Sequence, residues 1–172
     1  VNPATGAEEF GDPEGGGETT QSMTAVMAEL SPEEQQAASS AMALMTESAF
    51  HADWTESDMQ RLIIPPIKLK QYYLLNDDND GTPDGFITWA FLTPEAAVGY
   101  IDATRKIQAE DWDAGEELWF IDFIAPHGNM QALRDSFRAK ALKDKLPLPG
   151  KYLRPGRGQR KPLLTLGPDD GM

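Results

Sequence analysis

The chain has no cysteine and only two histidines, His51 and His127, in 172 residues. The first absence excludes disulfides, thiol nucleophiles and Cys-ligated zinc or iron–sulfur sites, and it suits a reducing compartment. The second leaves little room for a histidine-rich metal site. No apolar run approaches the roughly 18 residues that a membrane span needs, and the N-terminus has neither a basic segment nor the apolar stretch of a signal peptide. The expectation is a soluble chain without a membrane span. Lysine and arginine are absent from residues 1–60, which hold 12 Asp/Glu.

The net charge of −13 would repel nucleic acid and anionic membranes if it were evenly spread. It is not, because residues 131–161 carry 10 Lys/Arg against Asp135 and Asp144, a local charge of +8. That segment is either a landing surface for an acidic partner or a solvated helix face followed by a basic loop. An apolar content of 40% fits one compact domain. The divisions read from composition are an acidic, flexible N-terminal segment over 1–23, a folded domain over 24–167 and a tail over 168–172.

Local signals place the elements. Ser31, Pro32 and Glu34 form a capping box with proline at the first helical position, and Ala38, Ala41, Met42, Met45 and Ala49 then follow the helical period. Thr55 and Asp58 open a second helix that must stop before Pro65-Pro66. "QYYLL" (71–75) and "GFITWAFL" (85–92) read as a hairpin around "NDDNDGTPD". Thr93-Pro94-Glu95 opens a helix carrying Val98, Ile101 and Ile107. "LWFIDFIA" is a third strand, Asn129 caps a helix over 130–145, and "KYLR" and "KPLLTL" are two last strands. The order αββαβαββ implies an α/β (α+β) domain, a mixed sheet flanked by helices.

Asp122 stands in the middle of the third strand, where a carboxylate must find a partner or bear a desolvation cost of several kcal/mol. It either faces solvent at an edge, caps a neighbouring loop, or orients a histidine. Both histidines are candidates. His51 in "SAFHADW" has Ser48 three residues earlier, on the same helical face if the helix persists, whereas His127 in "APHG" sits at a helix entrance. The acidic turn alternates Asn76, Asp78 and Asp80 before Gly81 like part of a calcium loop, but Ile87 stands where a bidentate Glu is required. "PGRGQRK" (155–161) is a weak phosphate cradle, since no helix start follows it. Trp54, Trp89, Trp112 and Trp119 read as core or pocket wall, and Trp54, Trp112 and Trp119 are kept as substrate-binding candidates.

In combination, "SAFHADW", "QYYLLNDD…ITWAFLTPEA" and "AEDWDAGEELWFIDFIAPHGN" resemble the toxin-activating lysine acyltransferases, the haemolysin-activator (HlyC-type) family. The resemblance covers residues 40–146, with weaker agreement to 166. It implies a fold similar to the Gcn5-related N-acetyltransferases. It also implies transfer of a fatty acyl group from acyl carrier protein to internal lysine ε-amines of an RTX protoxin in the bacterial cytoplasm. No bound cofactor is implied, the donor being acyl-phosphopantetheine on the carrier protein, and a homodimer is suggested. The family's catalytic histidine, aspartate and serine fall on His51, Asp122 and Ser48. The acidic carrier protein would dock on basic residues, with Arg154, Arg157 and Arg160 foremost, and Arg134, Arg138, Lys140 and Lys161 beside them. The family's basic residue after the histidine is Ala52 here. Two further readings stand beside this one. A non-catalytic acyl-carrier or toxin-binding module of the same fold is opposed by retention of His51 and Asp122. A coenzyme A-dependent acetyltransferase is opposed by the missing pyrophosphate loop.

Overall fold

A computed structural model describes residues 22–153, together with the backbone of 163–166. Six α-helices are α1 (Met23–Ala28), α2 (Pro32–Thr46), α3 (Glu56–Leu62), α4 (Ile64–Lys68), α5 (Pro94–Asp102) and α6 (Met130–Lys143). The strands are β1 (Tyr72–Asn76), β2 (Pro83–Leu92), β3 (Glu117–Ile124), β4 (Gly150–Leu153) and β5 (Leu163–Leu166). They form one five-stranded sheet in chain order. All neighbours are antiparallel except β3 and β4, which run parallel through two residue pairs, Trp119 with Lys151 and Phe120 with Tyr152. This is the mixed sheet flanked by helices that the sequence implied.

Capping chemistry sets the helix starts near the site. Ser31 Oγ accepts from the Glu34 N–H at 3.2 Å while the Glu34 carboxylate accepts from the Ser31 N–H at 3.0 Å. Thr55 and Asp58 repeat the exchange at the start of α3. Pro65 and Pro66 do not merely end α3. They occupy the first turn of α4, where a missing N–H costs nothing. Helix α1, capped by Ser22, is an addition to the expected elements, and it begins inside the segment expected to be flexible. Residues 1–21 lie outside the described residues.

The core covers both faces of the sheet. Met23 of α1, Ala38 and Leu44 of α2 and Ile67 of α4 are buried in one cluster with Phe86 and Ile124. On the same face α5 brings Ala96 and Ala97 onto Ala90, Leu92, Trp112 and Trp119. Helix α6 packs Leu133, Phe137 and Ala141 on the opposite face, against Ile87, Trp89 and Phe120. Along α5 the expectation fails in detail. Val98 and Ile101 are exposed and Ile107 lies beyond the helix, because α5 turns its small residues to the sheet. Gly99 leaves so little space that a Cβ there would lie 2.6 Å from Arg105 Cβ. The hairpin turn satisfies itself: Asp77 accepts from the Asn79 N–H, Asp80 accepts from Thr82, and Gly81 takes φ +74°. Among the described residues no group of acidic or histidine side chains could hold a metal ion.

Candidate active site

Helix α2 stops at Thr46, but its winding continues as turns through the segment that matters. Ser48 N–H reaches Met45 O, and both the His51 and Ala52 N–H groups reach Ser48 O. Ser48 and His51 therefore share one face, and Ser48 Oγ lies 2.6 Å from His51 Nδ1. The other ring nitrogen, Nε2, is 3.1 Å from Asp122 Oδ1, a contact between residues 71 positions apart. Ser48 and His51 are 8% and 7% exposed, so neither contact competes freely with water. Trp54, whose N–H bonds His51 O, lays its ring 4.8 Å from the imidazole.

A β-bulge brings Asp122 to this side of the sheet. Thr88 pairs with Asp122, yet the next residue, Trp89, pairs with Phe120, so Ile121 is an extra residue in β3. Paired residues share a face. Phe120 faces α6 with Trp89, whereas Asp122 follows Thr88 to the face of α2, where His51 lies. Without the extra residue, strict alternation would send Asp122 to the α6 face. Its second oxygen, Oδ2, is buried without a hydrogen-bond partner.

The proton positions follow from acceptor chemistry. An ionised Asp122 can only accept, so His51 Nε2 carries the hydrogen and donates to it. The neutral ring then has its lone pair on Nδ1, where the Ser48 hydroxyl donates. Ser48, His51 and Asp122 form a continuous hydrogen-bonded chain. Its base nitrogen is oriented from both ends, as in acyl-transfer triads, with the two nitrogens in exchanged roles.

These three residues line a cavity of about 840 Å³, within the range of roughly 300–1,000 Å³ that small-ligand sites occupy. Part of it lies where β3 and β4 part company beyond Phe120 and Tyr152, so that Ile121, Phe123, Tyr152 and Leu153 form its walls. Trp54, Leu62, Tyr100 and Ile107 continue the apolar lining, and Arg61, Arg105, Lys106 and Arg134 supply cationic edges. Arg134 stacks its guanidinium 5.7 Å from the centroids of both Phe123 and Tyr152. Burial first, and the Asp122 charge second, push the Tyr100 phenol well above its ordinary range, so it keeps its proton. Phe50 stands 70% exposed at the rim.

Of the sequence candidates, Ser48, His51, Asp122 and Trp54 meet in this cavity. Trp112 and Trp119 do not. Both are buried in the core around α5, where Trp112 donates to Arg61 O at 3.0 Å and Trp119 to Glu117 at 3.1 Å. Arg154, Arg157, Arg160 and the rest of "PGRGQRK" lie outside the described residues. On α6, Arg138 is buried and bonds Asp135, while Lys140 bonds Asp144. Asn129 stands at the N-cap position of α6, but its side chain makes no capping bond there. Its amide donates to Asp84, side chain and backbone, at 2.7 and 3.1 Å. Tyr100, Phe123 and Tyr152 were not singled out from sequence, because nothing in a strand or helix pattern marks which aromatic borders a gap between strands.

Compared with known proteins, the sequence matches the RTX toxin acyltransferase family over residues 31–162. The chain belongs to that family. Relatives include the RTX-II toxin-activating lysine-acyltransferase ApxIIC of Actinobacillus pleuropneumoniae, 37% identical over 97 residues, which are 56% of this chain and 59% of the relative. The protein-lysine myristoyltransferase RtxC of Kingella kingae is 39% identical over 95 residues, 55% of this chain and 56% of the relative. The protein-lysine myristoyltransferase HlyC of Escherichia coli is 37% identical over 97 residues, 56% and 55% of the two chains. The chain thus spans a little over half the length of each relative it matches. No helix among the described residues is long and apolar enough to cross a membrane.

Proposed function

We propose that this protein transfers a fatty acyl group from an acyl-phosphopantetheine thioester, carried by acyl carrier protein, to internal lysine ε-amines of an RTX protoxin in the bacterial cytoplasm. The observation that carries the reading is the Ser48–His51–Asp122 chain in the wall of an apolar cavity. Family membership and the names of the relatives supply the lysine and the toxin.

A lysine amine with an ordinary pKa near 10.4 is about 99.9% protonated at neutral pH, so acylation needs a base. His51 accepts that proton at Nδ1, with Ser48 Oγ as the relay between amine and ring. Asp122 holds the tautomer and stabilises the imidazolium, a combination worth about 10²–10⁴ in rate. The ammonium proton passes on from His51 to solvent. The amine nitrogen then attacks the thioester carbonyl, and its second proton goes through Ser48 to His51 as the amide forms and the C–S bond breaks. The thiolate takes that proton from His51. Tyr100, a phenol that keeps its hydrogen, can donate to the developing oxyanion or to the departing sulfur. Each methylene buried in the cavity adds about 0.8 kcal/mol to donor binding.

The test is to incubate the protein with acyl carrier protein bearing a fatty acid and a co-encoded RTX protein, then map lysine modification by mass spectrometry. His51→Ala and Asp122→Asn should each abolish modification without changing the circular dichroism spectrum. Activity retained in either rejects the pair, and equal activity with acetyl-coenzyme A rejects the donor.

A further inference from the structure

The second histidine stands outside the catalytic chain yet touches the turn that carries it. His127, in the loop after β3, sets Nδ1 2.7 Å from Asp84 Oδ1 and Nε2 2.9 Å from Glu47 Oε1. Asp84 belongs to β2, and its other oxygen accepts from Asn129 Nδ2 at 2.7 Å. Glu47 is the C-cap of α2 and directly precedes Ser48. One imidazole thus ties together the turn bearing Ser48 and His51, the beginning of β2, and the loop continuing from the strand of Asp122.

Ionised carboxylates only accept, so both contacts are hydrogen bonds only when both ring nitrogens carry hydrogen. The bridge is complete in the imidazolium and loses one arm in the neutral ring. The arm that remains is the one to Asp84. That acid is 23% exposed against 58% for Glu47, makes the shorter contact, and is already held by Asn129. Glu47, and with it the catalytic turn, is what the neutral ring releases. The charged groups facing His127 are these two acids. Their hydrogen bonds, Asp84's first, hold its pKa above the ordinary histidine value.

We propose that His127 is a positioning residue: as an imidazolium it clamps Glu47, and through it Ser48 and His51, toward the strand of Asp122, and loss of its proton loosens that turn. A raised pKa means that the clamp is fully present at low pH and is lost as pH rises through the folded-state pKa. The catalytic consequence rests on the acyl-transfer reading, whereas the clamp itself does not. Since His51 must be neutral to act as a base, the activity profile gains an alkaline fall set by His127 beside its acidic one.

Two histidines make a direct test practical. Ring 1H–13C resonances of the full chain are followed through pH, with His127→Phe providing the assignment. His127 should titrate above about 6.5, the unperturbed value, and Glu47→Gln and Asp84→Asn should each lower its midpoint. The His51 ring signals should show a second inflection at the His127 midpoint, absent in His127→Phe. In the acylation assay His127→Phe should lower kcat roughly tenfold to a hundredfold below that midpoint, the scale of a catalytic group held out of place, and remove the alkaline fall. His127→Arg, cationic throughout, should restore part of kcat and move the fall upward. A His51 ring blind to His127 titration, or a kcat–pH profile that His127→Phe leaves unchanged, overturns the proposal. Absence of acyl transfer by the unmodified protein would count against the function and leave the resonance titration to decide the clamp.

Discussion

Thr88 and Asp122 face each other across β2 and β3, one residue out of the spacing that the neighbouring pair Trp89 and Phe120 sets. The extra residue, Ile121, puts the carboxylate on the side of His51, the face that Thr88 shares. Thr88 is fully buried, and its Oγ1 has no hydrogen-bond partner. A buried unsatisfied hydroxyl costs about 1–3 kcal/mol, and an isosteric apolar replacement removes that cost. Thr88→Val should therefore leave stability unchanged or raise it by about 1 kcal/mol, while lysine acylation persists. Denaturant titration and the acylation assay check both halves. A fall in activity to the level of Asp122→Asn would mean that the hydroxyl serves the carboxylate.

Ser48 contacts the basic nitrogen of His51, and the reading assigns it orientation and proton relay rather than covalent catalysis. Ser48→Ala should lower kcat by roughly tenfold to a hundredfold, less than the 10²–10⁴ expected for His51→Ala. Intact-mass measurement of the protein mixed with acyl donor alone should show no acyl adduct. A stoichiometric adduct that disappears in Ser48→Ala would reassign the serine as the nucleophile.

The parts legible in the sequence were those whose chemistry is local. Ser31 with Glu34 and Thr55 with Asp58 close their capping boxes within four residues, and Ser48 finds His51 through a turn. The hairpin was readable because Asp77 and Asp80 bond within their own turn, to Asn79 and Thr82. What was hidden depends on partners far along the chain. The bulge at Ile121 exists only relative to β2, the Asn129 side chain turned from its helix to Asp84, and Ala96 and Ala97, with Gly99 closed against Arg105, are buried where Val98 and Ile101 are not. Burial separates the three tryptophans, and no pattern of spacing reports it.

That separation is measurable. Trp112 is fully buried and bonded to Arg61 O, so Trp112→Ala should cost about 3–5 kcal/mol in stability. The milder Trp112→Phe and Trp119→Phe should lower the melting temperature with KM for the acyl donor unchanged. Trp54 lies in the cavity beside His51, so Trp54→Ala should instead raise KM or lower kcat with a smaller loss of stability. If Trp119→Phe changed KM and Trp54→Ala did not, the cavity would be misassigned.

Arg105 and Asp111 join the cavity edge to the loop before β3, and their pairing has a pH signature. Asp111 receives Arg105 Nη2 at 2.8 Å and the Gln108 N–H at 2.7 Å. Burial raises its pKa, but the hydrogen bonds from Arg105 and Gln108 outweigh burial and hold the carboxyl below its ordinary value of 3.8. A folded-state pKa below the unfolded one contributes stability that is present above about pH 3.8 and is lost as pH falls through the depressed value. Asp111→Asn removes that contribution. Because Arg105 is 44% exposed, the neutral-pH cost should be modest, well under that of breaking a fully buried pair. Thermal unfolding measured from pH 7 down to pH 2 should show a steady gap between the variant and the unmodified protein above about pH 3.8 that closes below it. A constant gap across that range would place the energetic role of Asp111 outside its ionisation.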